Sequence, residues 1–198
     1  MDYKEALQHL ENGEIKSCID YFKNNHYELE YGYSLMLSNK LNDAKEIFAN
    51  IQSIRADWAN IIISIMQGTI NKRPTYFQIR NFIEIDINLL FKVKLTKHIE
   101  YILGAAETFQ EINSETYKFL GRVLLKNNCL NSAKYFLDKA VDYFYNDVEL
   151  HFLFVEYYLE CNDTINAQKA LNNCLIISPE YYPAILMKKK FENSIKLQ

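Results

Sequence analysis

The sequence predicts an all-α protein assembled from antiparallel helix pairs, and three observations carry that prediction. Apolar residues recur at helical spacing, and their pattern returns when the chain is shifted by 34 residues. With only 5 Gly and 3 Pro, the chain lacks the turn residues that a closely folded all-β architecture needs. Gly13, Asn39, Asn128 and Asn162 occupy one recurring position, five residues before a small apolar residue. Gly and Asn tolerate the left-handed conformation that closes a helix.

Residues 2–24 read as a shortened first pair, with Cys18 in a small slot and Phe22 in a large one. Residues 25–52 form a clearer pair. Gly32 and Ala44 there are separated as Gly121 and Ala133 are, and Phe48 and Ile51 match Leu137 and Ala140. Residues 53–112 are less regular. Residues 58–67 read as a helix ended by Gly68, and Pro74 belongs near the next helix start, after a polar turn. From Tyr76, the residues Phe77, Ile79, Phe82, Ile83, Leu89, Leu90 and Val93 keep a helical rhythm, with Asp86 as a cap or a break. Residues 95–109 are again helical, giving two degenerate pairs in this stretch.

The strongest match joins residues 114–146 and 147–180. Leu120 falls on Phe154, Leu124 on Tyr158, Ala133 on Ala167, Leu137 on Leu171 and Ala140 on Cys174. Large residues stay large and small ones small while the polar residues between them vary, so packing sets the pattern. Residues 181–196 read as a terminal helix whose Lys188, Lys189 and Lys190 give a soluble end. The whole chain, 1–198, is expected to form a single domain.

A helix with large and small apolar residues, a short turn, and a second helix carrying Ala, a large residue and a small one resembles the tetratricopeptide repeat. Leu120, Gly121, Leu124, Ala133, Leu137 and Ala140 fit that consensus, as do Phe154, Tyr158, Ala167, Leu171 and Pro179. Val155 stands where a small residue is usual, and Tyr145 where a closing Pro is usual. The resemblance implies a right-handed α-solenoid of antiparallel helix pairs, about five repeats plus a C-terminal capping helix. It also implies a non-catalytic module that binds a peptide or helix of a partner protein in a concave groove, as an adaptor or chaperone does. By that logic the groove candidates are Leu29, Tyr33, Met36, Lys118, Arg122, Phe152, Glu156 and Leu159. The alternative is a scaffold that pairs with itself as a homodimer through Tyr-rich faces. A carboxylate clamp is not expected, because Leu153, Pro183 and Met187 stand where it would need Asn, Lys and Arg.

Other classes find little in the residues. A net charge of -3 gives no basic footprint for nucleic acid. No cofactor, metal or catalytic residue is expected. His98-Ile99-Glu100 lacks the Pro-Cys-x-x-Cys half of a zinc-deaminase signature, and no HExxH, phosphate-binding glycine loop or Gly-x-Ser-x-Gly elbow occurs. Cys18, Cys129, Cys161 and Cys174 form no CxxC pair, and Cys18 and Cys174 fill small apolar slots. The apolar run of residues 59–66 is too short to span a bilayer. The N-terminal MDYKEALQHLENGE is acidic where a signal peptide would be basic, so a reduced, cytoplasmic protein without membrane insertion is expected.

Overall fold

The computed structural model describes residues 1–195, so Lys196 of the expected terminal helix lies outside the described residues. The protein is all-α, with thirteen helices and no strand among the described residues. Among those residues no helix is long and apolar enough to cross a membrane. The chain gathers into two compact units, one over Met1–Thr116 and one from Tyr117 onward.

The first unit holds α1 (Tyr3–Asn12), α2 (Ile15–Asn24), α3 (Glu28–Leu37), α4 (Leu41–Ala49) and α5 (Ile54–Met66). It continues with α6 (Tyr76–Lys92), α7 (Thr96–Gly104) and the short α8 (Ala106–Gln110). The second unit holds α9 (Thr116–Lys126), α10 (Leu130–Val141), α11 (Val148–Glu160), α12 (Thr164–Ile177) and α13 (Tyr182–Ile195).

The turns behave as their residues demand. Gly13, Asn39, Asn128 and Asn162 all take positive φ, between 57° and 79°. The next residue's N–H then reaches back to cap a carbonyl of the finished helix, as Lys40 does to Leu35 and Cys129 to Leu124, both at 2.9 Å. Gly68, His26 and Lys94 close helices in the same conformation. Nothing in the residue type marks His26 or Lys94 as a turn, and both were missed in the sequence.

A second recurring joint sets how closely helices approach. A Cβ on Gly32 would stand 2.6 Å from the Phe48 ring, and one on Gly121 2.6 Å from Leu137. Phe48 and Leu137 are buried, so neither can move aside without disturbing its neighbours. Gly121→Val is therefore expected to destabilise by about 2 kcal/mol through overpacking. Gly104→Ala, whose Cβ meets nothing within 4 Å, is expected to stabilise by roughly 0.5–1 kcal/mol. Urea midpoints of the two variants against the native chain check this contrast.

In the first unit α1 to α5 pack each on the next, and α1, α3 and α5 also meet. Helix α5 is apolar all round and buried from Ala56 to Met66 save for Asp57 and Asn60, because α3, α4, α6 and α7 surround it. Helix α6 packs on α1, α5 and α7, and its Asp86 accepts a hydrogen bond from Tyr33 of α3. Thr75 and Gln78 start it with a reciprocal capping box, and Gln78 Nε2 donates to the Ile54 carbonyl at the head of α5, at 3.2 Å. Its far end reaches α1, where a Cβ on Gly13 would stand 3.1 Å from that of Lys92. Ile79, Ile83, Ile87 and Leu90 form its fully buried stripe. Asp86, expected as a cap or break, is instead in mid-helix on that buried side.

In the second unit the Gly121 joint seats α9 on α10, and α10 to α13 then pack in chain order. Cys18 and Cys174 fill buried slots, one in each unit, and all four cysteines are free thiols. Burial pushes the Cys174 thiol up to about 11, which keeps it protonated and inert.

Candidate partner-binding groove

Two of the three candidates on α3 are core residues. Met36 has no exposed surface and Tyr33 only 5%. The Tyr33 hydroxyl donates to Asp86 at 3.4 Å, so both side chains belong to the core and offer nothing to a ligand. Leu29 is half-buried at the start of α3.

Around Asp86 the chain has built a buried polar cluster. Trp58 Nε1 donates to it at 2.6 Å, and the Arg55 guanidinium pairs with its other oxygen. That guanidinium sits between two rings, 4.6 Å from Tyr33 and 4.5 Å from Phe82. Burial pushes the Asp86 carboxyl above its ordinary value, although Arg55, Trp58 and Tyr33 pull it back. A side chain 1% exposed, with three donors converging on it, is a structural anchor for α6.

In the second unit Lys118 is also spent internally. Its side chain is 5% exposed, with the ammonium 2.6 Å from Asp147 and 3.1 Å from Glu149. Arg122, half-buried on the next turn of α9, pairs with Glu149 as well. Asp147 is the N-cap of α11 and accepts the N–H groups of Glu149 (2.9 Å) and Leu150 (3.2 Å). Lys118, Arg122, Asp147 and Glu149 thus form an ion-pair network fastening α9 to the start of α11. Phe152 stacks edge-on against Tyr181, with ring centroids 5.7 Å apart. Leu153 is buried.

What the structure does bring together is Arg122, Glu156 and Leu159. They line a groove of about 530 Å³ with Leu125, Lys126, Asn128, Glu160 and Met187. The groove's residues come from α9 and the turn after it, from α11, and from α13. Leu125 is buried in the floor, Leu159 and Met187 are half-buried, and Lys126, Glu156 and Glu160 are exposed. Although Glu156 as a whole is exposed, partial desolvation of its carboxyl in the groove pushes that group up; Arg122 opposes this and Glu160 adds to it. Lys126 and Glu160 were missed as site residues. Each lies four residues after a candidate, on the same helix face, so helical spacing alone would have found them.

Comparison with protein-family models, curated proteins and solved structures finds no match.

Proposed function

We propose that the chain is a non-catalytic, cytoplasmic binding module that holds a segment of a partner protein in the α9–α11–α13 groove, as an adaptor or chaperone does. In this reading its helix pairs form a right-handed solenoid of the tetratricopeptide kind. The repeated Gly32–Phe48 and Gly121–Leu137 joints and the left-handed turns support that kinship. The observation that carries the binding role is the groove itself, with its apolar floor and charged rim. Self-association is the second reading, favoured by the exposure of Tyr135, Tyr143 and Tyr145.

Affinity capture from lysate tests the first reading. The native chain and an Ile85→Ser control, altered at an exposed site on α6, are expected to capture the same partner. A Glu156→Lys, Leu159→Asp variant that melts like the native chain is expected to lose it. Capture unchanged by that variant contradicts the groove's role, and a concentration-dependent mass that falls with Tyr143→Ser would favour self-association instead.

A further inference from the structure

The two walls of the groove carry opposite charge. Arg122 and Lys126 stand on α9, Glu156 and Glu160 on α11, with Leu125, Leu159 and Met187 on the floor. Each like-charged pair is spaced i,i+4, a spacing that is slightly unfavourable within a helix. Arg122 shares its charge with Glu149, whereas Lys126 and Glu160 stand exposed one turn farther along their helices.

The first unit indicates what kind of segment such a face accepts. Helix α3 shares its glycine joint with α9, and a further helix, α6, packs on its neighbours α1 and α5 and bonds to it through Asp86 and Tyr33. Four aliphatic residues of α6 are fully buried, and its one buried carboxylate, Asp86, is held by Arg55 of α5.

We propose that the α9–α11–α13 groove takes one amphipathic helix of a partner protein, with carboxylates on the flank along Lys126 and Arg122 and cations on the flank along Glu156 and Glu160. This rests on the binding role proposed above and adds the ligand's conformation and charge pattern. Aliphatic residues at i, i+3 or i+4, and i+7 of that helix meet Leu125, Leu159 and Met187. Because its two flanks differ in charge, the helix can lie in only one direction.

The test selects ligands for the full chain from a displayed library of random peptides about twenty residues long, enough for ~30 Å of helix. Enriched peptides are expected to combine an aliphatic stripe with an acidic and a basic flank. A synthetic copy is expected to lose about tenfold in affinity on Lys126→Glu or Glu160→Lys, and to recover when its own matching flank is reversed. Both residues are exposed, so these variants keep the fold. A proline at the peptide's centre is expected to abolish binding. Enriched peptides of a single charge sign, or binding that survives the proline, overturn this inference. If such peptides still fail on a folded Leu159→Asp variant, the groove keeps its binding role. Peptides that bind Leu159→Asp unchanged, or a selection that enriches nothing, overturn both.

Discussion

Asp86→Ala is expected to destabilise the first unit by about 3–5 kcal/mol, the range seen when one partner of a buried ion pair is removed. The substitution leaves the Arg55 guanidinium without its carboxylate and strips Trp58 Nε1 and the Tyr33 hydroxyl of their acceptor. Trp58 is the chain's one tryptophan, so its emission reports this unit directly. Its red shift on unfolding is expected at lower urea in the variant. Tyr33→Phe, which removes only the longest of the three bonds, is expected to cost about 1 kcal/mol. A loss of under about 1 kcal/mol for Asp86→Ala would mean that aliphatic packing alone seats α6. Because burial raises the Asp86 carboxyl, any stability tied to its protonation is present below its ordinary 3.8 and is lost as pH rises through its folded-state value. Acid is therefore not expected to release α6 through this group.

Asp147 behaves in the opposite sense. Asp147→Ala is expected to cost about 3 kcal/mol, roughly 1 of it from the lost helix cap and the rest from Lys118 left with a weaker partner in a buried site. Asp147→Asn keeps a capping oxygen and is expected to cost less, about 1–2 kcal/mol. Burial by itself would raise this carboxyl. The Lys118 ammonium and the N–H groups of Leu150 and Glu149 outweigh it and hold the carboxyl below its ordinary 3.8. Its contribution is therefore full above that value and is lost as pH falls through the lower, folded-state one. Thermal melts at pH 7 and near pH 2 are expected to show the gap between native and Asp147→Asn chains closing in acid. A gap of constant size would show that the charge on Asp147 does not stabilise α11.

The turns and the close joints were legible in the sequence because each depends on one residue's own shape. A left-handed turn selects Gly or Asn, and a tight crossing selects Gly32 or Gly121 opposite a large residue. The helical content of residues 53–112 was legible from the spacing of its apolar residues. The role of α6 was not. Its apolar rhythm matches that of any buried helix, and which face it covers depends on contacts between residues far apart in sequence, such as Asp86 with Tyr33. For that reason Tyr33, read as a groove residue, is core; Met36, read likewise, has no exposed surface. Lys118 misled in a related way. A basic residue on α9 and acidic ones on α11 look like opposite walls of a cleft until the structure pairs them at 2.6 Å.

In the first unit α6 packs on α1 and α5 and bonds to α3, and the proposed ligand site is the groove of α9, α11 and α13. Amide hydrogen exchange of the full chain, free and with a selected peptide bound, tests both at once. The account predicts that the amides of residues 76–92 exchange as slowly as those of α5 in either state, while α9, α11 and α13 gain protection with the peptide. Faster exchange of residues 76–92 on binding, with protection appearing on α1, α3 and α5, would contradict it, because the ligand would then be displacing α6.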